Sequence, residues 1–188
     1  MNTISASAGR LLVPPTIAAI VAGVVLAGCA AFPGDDASPA QIARAPTQSD
    51  IVEVVAIYDS YPWLFDPDDD TGKAVGIRIR SLFLISAKTK KGVFGDGTLR
   101  MTLFEVQHPP GSRPVREKLH EWQFDKVQAV NSRVTKKTLM GYGYMFYLAW
   151  PEEMDLAGRE IALGIDYIRT DGKLVRERPK YFQVMAGG

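Results

Sequence analysis

Beyond Asp50, hydrophobic and polar positions alternate mostly with a period of two, the spacing of an extended chain with one buried face. Residues 51–57, Ile-Val-Glu-Val-Val-Ala-Ile, make a short β-branched run. Across residues 75–85, Val75, Ile77, Ile79, Phe83 and Ile85 point one way and Arg78 and Arg80 the other. The same period recurs in residues 99–103, and more briefly in 119–124. Residues 139–150 form a long candidate strand, followed by 160–169 and 173–185. The last two are joined by Thr170-Asp171-Gly172, and Asp-Gly between alternating runs is a strong hairpin signal. Turn residues separate the others: Tyr61-Pro62, Asp66-Pro67, Gly95-Asp96-Gly97 and Pro109-Pro110-Gly111, with Pro151 ending the strand before it.

Two stretches have helical character. Residues 125–130 make about two turns with Asp125 as N-cap. Pro151-Glu152-Glu153-Met154 puts proline and acids where a first helical turn favours them. Seven candidate strands, short connections and little helix predict an all-β fold over residues 51–188. The expected form is a single antiparallel β-sandwich of about seven strands, Ig-, C2- or transthyretin-like. A domain of this size buries roughly two thirds of its unfolded surface and needs no covalent staple.

The amino-terminal texture is different. Residues 11–32 carry no charge and follow Arg10; Pro14-Pro15 divides them, leaving a run of 11 nearly all apolar residues, 16–26. That run is the size of a signal-peptide hydrophobic region and short of the ~20 residues a spanning helix needs. It ends in Leu26-Ala27-Gly28-Cys29, which resembles the lipobox of bacterial lipoproteins. The resemblance implies removal of residues 1–28 as a signal peptide and acylation of Cys29 as the new first residue. Ala30 in place of aspartate then goes with sorting to the outer membrane. The bland alternative is an uncleaved signal anchor with an incidental cysteine. Residues 29–50 are rich in Ala, Pro, Ser, Gly and Asp without a hydrophobic period, which predicts a flexible lipidated tether.

Composition narrows the remaining classes. With 22 basic and 21 acidic residues, net charge +1, there is no global basic field to concentrate nucleic acid, and no nucleic-acid partner is expected. Residues 1–28 hold Arg10 and no acid, so the mature chain would carry 21 of each sign. The basic groups Lys88/Lys90/Lys91, Arg133/Lys136/Lys137 and Lys173/Arg176/Arg178/Lys180 are dispersed. In the last of them Pro179 cannot donate to a ladder, which suits a charged edge strand. One cysteine excludes an intrachain disulfide framework or a Cys-rich metal module.

Candidate chemistry is sparse. Asp66, Asp68 and Asp70 have the alternating spacing by which a loop wraps carboxylates around calcium, the one cofactor the chain suggests. The glycine, however, comes one place late for an EF-hand-like loop, and Ile77 stands where its final glutamate belongs. A C2-type end loop or a solvated acidic turn are the other readings. Tyr61, Trp63 and Phe65 precede the aspartates and are ligand-binding candidates. The row Tyr142, Tyr144, Phe146, Leu148 and Trp150 is either a sugar-stacking face or, more in keeping with its glycines, a central core strand. His108 and His120 have no Ser or Cys in a recognisable elbow, and Gly-x-Ser-x-Gly and His-Glu-x-x-His are missing. A non-enzymatic chain is expected.

With the lipobox, the segments Gly95-Asp96-Gly97-Thr98-Leu99, Trp122-Gln123-Phe124 and Gly141-Tyr142-Gly143-Tyr144 resemble small single-domain bacterial lipoproteins of unassigned function. A more distant likeness is to the transthyretin-like outer-membrane lipoprotein of type VI secretion systems, which shares a lipobox, a short tether and a β-sandwich. These resemblances imply a membrane-anchored envelope adaptor or structural module that works through protein contacts. The alternative is a glycan- or calcium-binding module at the envelope surface.

Overall fold

The computed structural model describes residues 37–68 and 71–186. Cys29, Ala30 and Asp70 lie outside them. Among the described residues ten strands form two antiparallel sheets: β1 (Ile51–Ile57), β2 (Trp63–Phe65), β3 (Ala74–Ser86), β4 (Gly92–Val93), β5 (Thr98–Gln107), β6 (Val115–Phe124), β7 (Tyr144–Ala149), β8 (Glu160–Ile168), β9 (Leu174–Arg176) and β10 (Lys180–Gln183). The all-β sandwich is as expected; the count of about seven is not. Residues 173–185 split around Arg178-Pro179 into β9 and β10, both on one edge of β8, because proline supplies no ladder donor. β2 and β4 are too short to show a period.

Strand β3 is the spine of the first sheet. Leu82 pairs with both Ala56 and Tyr144, and Ile77 with both Trp63 and Leu148, so β1 and β2 follow one another along one edge while β7 takes the other. Leu84, opposite Val54 and Val93, puts β4 on the β7 side. In the second sheet the order runs from β9 and β10 through β8 and β5 to β6.

The alternation expected along β3 holds for Ile77 and Ile79 and then reverses. Between Ile79 and Leu82 three steps on β3 oppose two on β7, and the extra residue flips the side-chain parity. Leu82 and Leu84 therefore join Ile77 and Ile79 in the core, in place of Phe83 and Ile85. Phe83 is still only 3% exposed, since residues 141–143 cross its ring on the outer face. Tyr144, Phe146 and Leu148 from β7 meet Leu99, Met101 and Leu103 from β5 and Ile161, Leu163 and Ile165 from β8 across the sandwich.

The strand expected over residues 139–150 is regular only from Tyr144; Thr138 and Gly141 close a tight turn before it. Asp125 does cap, its Oδ1 accepting from Val127 N and Gln128 N at 2.8 Å, but a 3-10 turn, Gln128–Ser132, follows in place of α-helix. Residues 151–154 make a single turn, with Met154 N donating to Pro151 O.

The expected flexible tether over residues 29–50 is corrected for its described part. Residues 39–43 form helix α1 (Pro39–Ala43), started by a capping box in which Ser38 Oγ accepts from Gln41 N and Gln41 Oε1 accepts from Ser38 N. Ile42 and Ala45 are buried in the main core. Gln48 bridges to Gly95, and Asp50 accepts from Ser86 Oγ at 2.8 Å. A helix of this length is unstable alone, so tertiary contact holds it.

Candidate functional site

Two ends of β3 carry the features that bear on function. At its start, Pro62 breaks the chain between β1 and β2, and its carbonyl accepts from Arg78 N at 2.6 Å. Strand β2 then runs beside Ala74, Gly76 and Ile77. A register shift after Leu64 ends the simple alternation, so Trp63 and Phe65 do not share a surroundings. Trp63 turns toward the core and meets Phe182 edge-on at 6.1 Å, beside Tyr58, which meets the same ring at 5.0 Å. Phe65 stays outside and stacks on Tyr61, centroids 5.9 Å apart and planes 23° apart. Their exposures, 37% and 52%, mark them as the solvent-facing pair. Of the three aromatic candidates, the structure brings two together at the surface and uses the third for packing.

Next to Phe65 lies an open cavity of about 590 Å³. Val75, Trp150 and Met154 contribute apolar surface to it, and Asp66, Lys73 and Glu152 charge. Lys73 reaches Asp155 at 3.6 Å, one wall of the loop joining β7 to β8. The Asp155 pKa lies below the usual carboxylate range, chiefly because Ala157 N donates to it, with Lys73 adding to the effect.

The acidic loop borders this cavity. Asp66 Oδ1 accepts from Asp68 N at 2.9 Å, an Asx turn in which one carboxylate oxygen serves the backbone. Asp68 is exposed. A calcium ion would have to be held by Asp66 and Asp68 with Asp70, which lies outside the described residues. Among the described residues no cluster of three or more His, Cys, Asp or Glu side chains is placed to hold a metal.

The row Tyr142, Tyr144, Phe146, Leu148 and Trp150 is buried throughout, none of it more than 6% exposed, and so is core and no sugar platform. The Tyr144 Oη accepts from Gly95 N at 2.9 Å, and burial pushes its pKa up to about 12. His108 Nε2 lies 2.7 Å from Glu160 Oε2 at the surface, and His120 packs edge-on against Trp122 at 4.7 Å.

Three features escaped the sequence. Arg133 lies over the Phe94 ring at 4.3 Å and donates to three carbonyls of the α1 segment. On the outer face of the second sheet Asp166 accepts from Arg100 at 2.6 Å and Arg176 at 2.8 Å, beside a shallow cavity of about 320 Å³ bounded by Phe104 and Arg116. Leu139 stands 99% exposed at the tip of the turn that precedes β7. Only the last had a local signal, the Gly141 that lets the turn close. Against this geometry no family model, no curated protein and no solved structure matches the chain.

Proposed function

We propose that this protein is an envelope lipoprotein whose β-sandwich serves as a non-catalytic adaptor working through protein contacts. In this reading residues 1–28 are removed, Cys29 is acylated, and Ala30 directs the product to the outer membrane. The observation that carries the adaptor is the exposed Tyr61–Phe65 pair beside the cavity of Val75, Trp150 and Met154. Rigid aromatic groups over an apolar floor with a charged rim resemble the centre of a protein interface, where Tyr and Phe are enriched and charge is pushed outward. Acylation would confine the domain to a membrane, and confinement raises the effective concentration of partners, so modest contacts suffice.

A glycan-binding module is the second reading, favoured by Tyr61, whose ring is half exposed. Against it, Tyr61 and Phe65 stack on each other and offer one shared platform where a sugar chain prefers a row.

A photo-crosslinking residue at position 61 of the full-length protein, in native membranes, tests the two. A discrete protein adduct that depends on Cys29 supports the adaptor. No protein adduct, together with retention of the protein on envelope polysaccharide, replaces it with the glycan reading. The acidic loop is examined on the same protein by thermal melting with millimolar calcium: a ligand at 100 times its dissociation constant adds ~2.7 kcal/mol.

A further inference from the structure

We infer that the turn carrying Leu139 and Met140 is a bilayer-contacting surface, which seats the domain on anionic phospholipid; this rests on the reading of Cys29 as an acylated anchor. The turn is built to protrude. Thr138 N donates to Gly141 O and Gly141 N to Thr138 O, each at 2.9 Å, leaving Leu139 and Met140 as the two central residues. It is fastened from behind, because Gly92 N donates to Met140 O at 2.6 Å and Tyr142 N to Gly92 O at 2.9 Å. Leu139 is 99% and Met140 37% exposed, and Ile57, 38% exposed, lines the same shallow cavity with Phe83 at its base. A convex, fully exposed leucine on a rigid turn gains nothing from water. It suits a fluid apolar phase that needs no matching pocket.

Charge and chain path name the occupant. Residues 126–151 contain Lys126, Arg133, Lys136 and Lys137 and no acid. Lys136 and Lys137 are exposed immediately before the turn, and Arg80 lies on the cavity's border. Apolar residues flanked by cations are the composition that partitions to an anionic membrane surface. The anchor also sits at this end. Gly92 pairs with both Ile85 and Gly141, while the incoming chain binds the same end of β3 through Asp50 and Ser86. Cys29 precedes the first described residue, Ala37, by eight residues, which reach at most about 29 Å even fully extended. Acyl chains so attached cannot leave this end of the sandwich far from lipid. The Tyr61–Phe65 pair, at the start of β3 beside Ala74 and nine residues from Phe83, would then stand about 30 Å further along the strand, open to a partner.

The test uses the full-length protein, matured, acylated and reconstituted in phosphatidylcholine vesicles with or without phosphatidylglycerol. Acylation occupies the Cys29 sulfur, so Leu139→Cys provides a single free thiol for a polarity-sensitive fluorophore. Val115→Cys, exposed at the start of β6 beside Gln107 and so at the opposite end of β5 from Thr98, is the control. On anionic vesicles the probe at 139 should shift to the blue and lose most of its quenching by aqueous iodide, while that at 115 does not change. Lys136→Glu with Lys137→Glu should reverse most of the shielding, with the melting temperature unchanged. A probe at 139 as accessible to iodide as that at 115 overturns the inference. So does shielding that follows protein density and ignores lipid charge, which would make the turn a contact between copies. Labelled palmitate separates the failures: an unacylated protein overturns anchor and docking together, and an acylated one with a water-exposed turn overturns docking alone.

Discussion

Arg133 Nη1 donates to the carbonyl oxygen of Ile42 at 3.0 Å, joining residues 91 positions apart. The same nitrogen reaches Ala43 O and Ala45 O, so one guanidinium satisfies the open carbonyl end of α1. Burial lowers the Arg133 pKa, and the nearby Tyr144 hydroxyl opposes that effect. Arg133→Ala is expected to cost about 2–3 kcal/mol, since hydrogen bonds from a charged donor are worth ~1.5–3 kcal/mol and act together here. Hydrogen exchange should show loss of protection at Ile42 N before the sheets open. Unchanged protection there would mean that burial of Ile42 alone holds the segment.

Gly141 has φ 105°, and a Cβ there would collide with the Gly92 backbone. Gly141→Ala should therefore cost about 1–3 kcal/mol in urea unfolding, as a strained backbone position does. Gly111→Ala supplies the comparison: its φ is 72° but the space around it is open, so strain acts without collision and the loss should be smaller.

Asp166 is pulled in two directions. Burial works to raise its pKa, but hydrogen bonds from Arg176 and Arg100 outweigh it and hold the carboxyl below its ordinary value. A lowered folded pKa contributes stability that is present above the unfolded value and lost as pH falls through the folded one. Asp166→Asn should thus destabilise by about 1–3 kcal/mol near pH 7, with the deficit shrinking below about pH 4. A deficit independent of pH would assign the loss to packing.

Glu177 shows the opposite sign. Burial raises its pKa, and donation from Ala56 N at 3.0 Å offsets this only in part. The stability it contributes is complete below the ordinary carboxylate pKa and disappears as pH rises through the folded value, so ionised Glu177 is a burden at neutrality. Glu177→Gln retains the acceptor for Ala56 and should raise the melting temperature at pH 7. The advantage should be lost toward pH 4. A variant less stable than wild type at pH 7 would refute the assignment.

Tyr61 bears on function more than on folding. Half exposed and stacked on the solvent-facing Phe65, it should tolerate Tyr61→Ser within about 0.5 kcal/mol in thermal melting. In native membranes the same change should weaken protein crosslinking from neighbouring position 60. Full crosslinking in this variant would place the partner elsewhere.

The fold class was written in local alternation, because period two records which side chains avoid water in an extended chain. Asp171-Gly172 likewise set the β8–β9 turn, and Arg169 N and Lys173 O close it at 2.9 Å. The capping box at Ser38 and Gln41 was also local, yet it was outweighed by the surrounding Ala, Pro and Ser. Only Ile42 docking near Phe94 and Arg133 makes that short helix persist. The face presented by Phe83 was beyond local pattern, because the bulge that turns it outward exists only in the pairing of β3 with β7. The site divides in the same way. Sequence alone supplied the lipobox resemblance at Cys29 and the aromatic cluster before the aspartates. Tertiary structure decided that Trp63 packs on Phe182, that Tyr61 and Phe65 stay in water, and that Leu139 projects from a turn. The reason is that a side chain's preference for burial is intrinsic, whereas the partner that buries it is chosen by many weak contacts between strands far apart in the chain.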